Sequence, residues 1–406
     1  MEVRLHPSLV DDARAQQAAQ AVEACVHCGF CLSTCPTYLD TRDERDSPRG
    51  RIYLIRELLE SGDSGLTTQR HLDRCLGCRA CESSCPSGVQ YAHIADHGRE
   101  LLLDSVPRGI RDRLRRWVLR MVVPYPRRFN PLLRLGLMLG PLLPRALRAQ
   151  LPARQEPLPV PAVTASARRV LLLDGCVQAC ATPRSNQAAR LILDRLGIEV
   201  LASPGQGCCG ALNSHLGFTA AGRAAMRRNI DTWWPAIAAG AEAILSTATG
   251  CGAQLQDYGR ALAGDPAYAE KASRVSALAL DLASFIDAQA LAALPHRAPD
   301  TRVALHIPCS LMHAIGDPDS VRRLLDACGY ELTRTTDDHL CCGSAGTYSL
   351  LQPAMSERLR GRKLQALCGD RPDLIATANV GCQLHLGAGT EKPVTHWTEL
   401  IWDAIK

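Results

Sequence analysis

No uninterrupted apolar run in this 406-residue chain approaches the ~18 residues of a membrane-spanning helix, so an integral membrane protein is not expected. The first residues, Met-Glu-Val-Arg-Leu-His-Pro, carry neither an apolar h-region nor a small-residue cleavage site, which argues against export. Aromatic residues make up only 4% and lysine is scarce, so a nucleic-acid-binding surface is not expected either. A Gly-rich dinucleotide fingerprint after a strand is also missing. What is left has ordinary globular proportions, 46% hydrophobic and 21% charged, in a chain long enough for two to four domains. Against that background nineteen cysteines are many. An intracellular chain keeps its thiols reduced, so clustered cysteines point to metal rather than to disulfides.

The net charge of +5 is unevenly placed. From Arg108 to Arg148 there are eleven arginines, no lysine and a single acid, Asp112, so the remainder is net acidic. Composition divides the chain into a double-cluster segment, 1–106, a basic amphipathic segment, 107–148, a Pro/Ala linker, 149–168, and two halves of a duplication, 169–295 and 296–406. In the basic segment Ile110, Leu114, Trp117 and Val118 share one helical face, with Arg111, Arg113, Arg115 and Arg116 around the remainder. The apolar stretch from Leu132 to Leu143 is broken by Arg134 and Pro141. Two readings stand side by side: an interfacial element on anionic lipid, and a helix pair that docks a partner subunit.

The duplication is visible in three landmarks. Arg-Val-Leu-Leu-Leu-Asp-Gly-Cys ends at Cys176 and Arg-Val-Ala-Leu-His-Ile-Pro-Cys at Cys309, while Cys-Cys-Gly begins at Cys208 and again at Cys341; both pairs lie 133 residues apart. A third cysteine follows a short apolar run in each copy, at Cys251 and Cys382. Each copy reads as strand, helix, strand, Cys-Cys-Gly turn, helix, strand, the pattern of a parallel α/β unit. Cysteines placed after strands then sit at the carboxyl ends of a sheet, where such folds form a crevice.

The N-terminal segment holds Cys25-x2-Cys28-x2-Cys31-x3-Cys35-Pro and, again, Cys75-x2-Cys78-x2-Cys81-x3-Cys85-Pro, the run of bacterial two-cluster ferredoxins. Three thiolates in a tight loop wrap three corners of a cubane. The fourth lies too far along, on a following helix, and reaches the other cluster. The expected sets are Cys25, Cys28, Cys31 and Cys85 for one 4Fe–4S cluster, and Cys75, Cys78, Cys81 and Cys35 for the other. Structural zinc is the competing reading, but zinc sites show paired C-x2-C knuckles. Gly29 and Gly77 are expected to relieve crowding near the sulfides. The 39 residues between Cys35 and Cys75 exceed the smallest ferredoxin fold, and Ile52, Ile55, Leu58 and Leu59 fall at helical spacing after Ser47 and Pro48, so an α-helical ferredoxin-type domain is predicted. Arg49 and Arg51 either hydrogen-bond near a cluster or lie on a solvated helix face.

Each half of the duplication offers a further set for a cluster or other metal: Cys176, Cys208, Cys209 and Cys251, then Cys309, Cys341, Cys342 and Cys382. Adjacent cysteines do not easily share one zinc, and buried free thiols are the alternative. Cys180, Cys328 and Cys368 have no counterpart in the duplication and read as ordinary buried cysteines. The Cys-Cys-Gly pattern resembles the cysteine-rich domain of the heterodisulfide reductase family, whose motif ends in C-x2-C. Here Cys251 is followed by Gly252, Ala253 and Gln254, and Cys382 by Gln383, Leu384 and His385, so the fifth cysteine is missing. His385 is either a substitute ligand, as imidazole is in Rieske centres, or a packing histidine.

Taken with both ferredoxin runs, the segments Ser-Pro-Arg-Gly-Arg (47–51), Asp-Gly-Cys-Val-Gln (174–178), Cys-Cys-Gly-Ala-Leu (208–212), His-Ile-Pro-Cys (306–309) and Cys-Cys-Gly-Ser-Ala-Gly-Thr-Tyr (341–348) resemble the glycolate oxidase iron–sulfur subunit family. The resemblance implies an α + α/β chain, with a helical ferredoxin-type domain followed by two α/β cysteine-rich domains. It also implies FAD-binding partner subunits that oxidise glycolate to glyoxylate, with electrons passing through this chain towards a membrane acceptor such as quinone. On that reading no catalytic residue lies on this chain, which is cytoplasmic and peripheral on the inner face of the cell membrane. The alternatives are the equivalent subunit of a glycerol-3-phosphate or lactate dehydrogenase complex, and a heterodisulfide-reductase-like thiol reductase, which the missing fifth cysteines disfavour.

Overall fold

Among the described residues of the first hundred there are helices and turns and no strand, as the spacing predicts. The computed structural model describes residues 2–406 except 63–64, 143–147, 149–150, 154, 160–165 and 298–299. Six helices build the N-terminal unit: α1 (Ala13–Glu23), α2 (Pro36–Thr41), α3 (Pro48–Ser61), α4 (Leu66–Asp73), α5 (Ala80–Ser83) and α6 (Tyr91–Ser105). Ser47 caps α3, its hydroxyl accepting from the Gly50 N–H at 3.0 Å, and Pro48 takes the first helical position. The inward face of α3, Ile52, Ile55, Leu58 and Leu59, packs with Ala15, Ala18 and Val22 of α1 and with Ile94, Leu101 and Leu102 of α6. Cys25, Cys31, Cys75 and Cys85 border this core.

Two amphipathic helices follow, α7 (Ile110–Val122) and α8 (Pro126–Leu139). Ile110, Leu114, Trp117 and Val118 do share a face, and that face is open to solvent, as are Leu132, Leu135 and Met138 of α8. Arg116, expected on the free rim, is instead buried and pairs with Asp73 at 3.1 Å and Asp112 at 2.9 Å. Arg108 meets the same two carboxylates, and the Arg120 guanidinium stacks 3.3 Å over the Phe218 ring. These three fasten α7 to the body and leave Arg111, Arg113 and Arg115 facing outward. Among the described residues no helix is long and apolar enough to cross a membrane.

The duplicated halves each form a four-stranded parallel sheet. The first runs β2-β1-β3-β4 with β1 (Arg168–Leu173), β2 (Ile198–Leu201), β3 (Ala243–Ser246) and β4 (Ala279–Asp281). The second runs β6-β5-β7-β8 with β5 (Arg302–His306), β6 (Glu331–Leu332), β7 (Leu374–Thr377) and β8 (Val394–His396). The expected strands and helices are present, with one edge strand more in each half. Val170 to Leu173 are all buried, as an apolar run must be in a sheet covered on both faces. Strand order reverses between β1 and β3 and between β5 and β7, and Cys176, Cys251, Cys309 and Cys382 follow the ends of those four strands.

One core, including Ile192, Leu193, Val303, Leu325, Trp397 and Ile401, joins the halves. The helix Pro183–Arg195 lies against the C-terminal helix Trp397–Ile405, where Glu399 accepts from the Ser185 hydroxyl at 3.0 Å and pairs with Arg184 at 3.3 Å. Much of the stretch expected as a linker, 149–168, lies outside the described residues; Leu158, within it, packs on this shared core.

Candidate metal centres

Each ferredoxin run turns on two left-handed residues, His27 (φ 55°) and Gly29 (φ 85°) in the first, Gly77 (φ 63°) and Arg79 (φ 61°) in the second. A Cβ on Gly77 would meet no protein atom within 4 Å, so the requirement in this fold is the backbone conformation rather than space. The turns aim the sulfurs inward around two hollows. Cys25, Cys28, Cys31 and, from the other run, Cys85 line a hollow of about 430 Å³ counted to its open mouth. Cys75, Cys78, Cys81 and, from the first run, Cys35 line a second of about 580 Å³. Cys35 crosses over because Pro36 starts α2 directly after it and carries it off the loop. Cys81 and Tyr91 border both hollows and form the wall between them.

The donor set fits a thiolate-bound cluster. All eight cysteines are free thiols. Burial pushes the Cys31 thiol up to about 11, and those of Cys78 and Cys81 well above their ordinary value. Burial also raises Cys75, but the guanidiniums of Arg51 and Arg99, the Gly77 N–H and the Tyr91 hydroxyl outweigh it and bring this thiol below its ordinary value. Thiols that hold their protons when buried alone release them to a metal, which binds the thiolate. Arg51 is 1% exposed, so the solvated-face reading fails for it. It donates to the His71 carbonyl at 2.7 Å and to the Thr37 hydroxyl at 3.1 Å. Arg49 is half-buried at the first hollow, paired with Glu44 and donating to the His27 carbonyl at 3.4 Å. Arg51 and Arg99, two buried cations lining the second hollow, suit an anionic cluster there.

In the first cysteine-rich half Cys176, Cys208 and Cys209 are buried in one cluster, with Cys251 packed against it. Hydrogen bonds from Cys176 and Cys209, helped by the Gly210 N–H and Arg228, hold the Cys208 thiol well below its ordinary value. Tyr258 donates to the Cys209 carbonyl at 2.8 Å, and the Asn229 amide to the Cys208 carbonyl at 3.1 Å.

In the second half the adjacent cysteines keep their thiols in contact but pack on two different apolar clusters. Cys341, 3.9 Å from Cys309 sulfur to sulfur, packs with Leu76, Tyr348 and Met355, and Cys78 of the second ferredoxin run borders the same cluster. Cys342 packs the other way, with Cys382, Ala304 and Ile375. The turn that follows them needs its glycine, since a Cβ on Gly343 would sit 2.7 Å from the Ser356 carbonyl oxygen. The pairs Ser83–His313 at 2.8 Å and Arg358–Asp40 at 2.7 Å fasten this half to the ferredoxin-type unit.

His385 does not reach the cysteines. Its Nε2 meets the Ser356 hydroxyl at 3.1 Å, and burial lowers it to about 4, which makes it a packing histidine. The histidine that joins Cys342 and Cys382 is His306. Its signal was there to read: it ends an apolar strand three residues before Cys309. Of the unmatched cysteines, Cys328 is buried as expected, whereas Cys180 and Cys368 are partly exposed.

Known proteins match this architecture region by region. The family described as a 4Fe-4S dicluster domain matches residues 21–89, and the cysteine-rich domain family matches 170–256 and 303–387. The glycolate oxidase iron-sulfur subunit of Escherichia coli (strain K12) is 47% identical over 406 residues, covering 100% of both chains. The chain belongs to the glycolate oxidase iron–sulfur subunit family. A probable glycolate oxidase iron-sulfur subunit of Bacillus subtilis (strain 168) is 30% identical over 91% of this chain and 89% of its own. Lactate utilization protein A of Bacillus licheniformis is 29% identical over 48% of this chain and 81% of its own. A solved structure, a hypothetical protein from Helicobacter pylori, superposes with a TM-score of 0.55 at 11% identity over 98% of this chain and 73% of that one, a likeness of fold alone.

Proposed function

We propose that this chain is the iron–sulfur electron-transfer subunit of a glycolate-oxidising complex. The observation that carries the reading is the pair of adjoining hollows, each lined by three cysteines of one run and the fourth of the other. A 4Fe–4S cluster in each would supply one-electron carriage. Cys25, Cys28, Cys31 and Cys85 hold one, and Cys75, Cys78, Cys81 and Cys35 the other. Arg51 and Arg99 offset the negative charge of the second, and Leu76, Tyr348 and Met355 keep water from its far side. The eight cysteines of the Cys-Cys-Gly halves are candidates for further metal. No dinucleotide fingerprint lies on this chain, so the flavin that takes electrons from glycolate is assigned to a partner subunit, as FAD. The glycolate assignment follows the full-length relative; lactate stands second, because the lactate-utilization relatives match only about half of this chain.

The outward arginines Arg111, Arg113 and Arg115 beside exposed Ile110, Leu114 and Trp117 suit a peripheral site on the anionic inner face of the cell membrane, where a quinone is the acceptor. The test is analysis of anaerobically purified protein. Iron and sulfide of about eight atoms each per chain are expected from the ferredoxin-type unit, with cluster EPR after reduction and glycolate-dependent reduction once the flavin subunits are added. Zinc without iron overturns the proposal.

A further inference from the structure

We propose that the second cysteine-rich half binds a single zinc ion on Cys342, Cys382 and Nε2 of His306, a site the first half cannot build. The ligand atoms of these three residues all lie within 4.8 Å of one another, and all three residues are buried. Two sulfurs on one zinc ion stand at most about twice the ~2.3 Å zinc–sulfur bond apart, so this spacing suits one ion. His306 is 1% exposed, and its Nε2 has no hydrogen-bond partner. The other ring nitrogen, Nδ1, is 2.9 Å from the Thr377 hydroxyl. A ring whose Nδ1–H is given to Thr377 presents the Nε2 lone pair, the orientation that outer partners impose on metal-bound histidines. The Asn379 amide lies 3.4 Å from the Cys382 sulfur, a second outer contact. A set of two thiolates and one imidazole is zinc chemistry, with one tetrahedral position left open.

The first half has Leu173 where the second has His306, each being the last residue of its strand. An aliphatic side chain cannot ligate, so one such site is expected per chain. None of the three residues lines either ferredoxin-type hollow, so this site stands or falls separately from the two-cluster reading.

The experiment counts zinc and iron in full-length protein purified anaerobically from zinc-supplemented cells. About one zinc per chain is expected in the parent. His306→Leu should lose it with iron content and cluster EPR unchanged, and His306→Cys should retain it. Thr377→Val should weaken zinc retention against a chelator roughly 10–100-fold, again with iron unchanged. Absence of zinc from the parent overturns the proposal, as does full zinc retention in His306→Leu. Loss of iron rather than zinc in His306→Leu makes the residue an iron–sulfur ligand and also overturns it. The iron and EPR readings test the two-cluster proposal independently, so the two failures cannot be confused.

Discussion

Two duplications lie in this chain, and they divide labour differently. The N-terminal runs exchange their fourth cysteines, so each hollow needs both runs. The C-terminal halves keep theirs: each has its own sheet, its own reversal of strand order and its own Cys-Cys-Gly turn. An exchanged site couples its two copies, and neither can change without harming the other. A self-contained site leaves its copies free to diverge. The halves have done so at Leu173 against His306, and at the end of the last strand, where Asp281 caps the next helix in one half and His396 in the other.

The sharpest way to break this contrast is to remove a single sulfur. Cys85→Ser should empty the hollow of the first run and Cys35→Ser that of the second, each lowering occupancy roughly tenfold or more by EPR and iron counting. Cys251→Ser, by comparison, should leave metal in the second half untouched. A loss confined to the same-run cluster in Cys85→Ser and Cys35→Ser refutes the exchange.

A smaller effect separates charge from ligation. Asp46 lies buried among Arg51 at 3.5 Å, Arg74 at 3.0 Å and His71 at 2.7 Å. Arg51→Met should cost about 3–5 kcal/mol in chemical denaturation, because it strands part of a buried charge network. It should also lower the reduction potential of the second-run cluster alone, since the added electron loses a nearby cation. An equal shift in both clusters would show that the hollows share one field.

The smallest effect compares the two caps. Burial raises Asp281 to about 7 from 3.8, so the neutral form is favoured on folding; this stability is full below pH ~4 and is lost as pH rises through 7. Burial lowers His396 to about 4 from 6.5, so its contribution is full above pH 6.5 and is lost as pH falls through 4. Asp281→Asn, which keeps the cap, should therefore stabilise the protein by about 1–3 kcal/mol at pH 8 and change little at pH 4. Equal gains at both pH values would mean that the carboxyl is not neutral in the fold.

Local spacing made much of this readable. The eight cysteines lining the two hollows are those singled out by C-x2-C-x2-C-x3-C-P, because loop curvature and a proline-started helix are encoded within a dozen residues. The cap at Ser47, the strands flanking each Cys-Cys-Gly turn and the apolar face of α7 were legible for the same reason. His27 and Arg79 were not: nothing in their chemistry announces a left-handed backbone, as glycine does at Gly29 and Gly77. Arg116 reads as a surface charge, and Arg51 as either a cluster neighbour or a solvated charge, because neither sequence reading shows that Asp73, on another helix, and Asp46, in the turn before α3, turn towards them. His306 and Thr377 are 71 residues apart in the chain and become neighbours through the parallel register of β5 and β7. Short-range patterns fix which atoms a loop presents, since few dihedrals lie between them. Which of those atoms meet a partner across a sheet or a domain contact depends on strand order and register, which the packing of the whole chain sets.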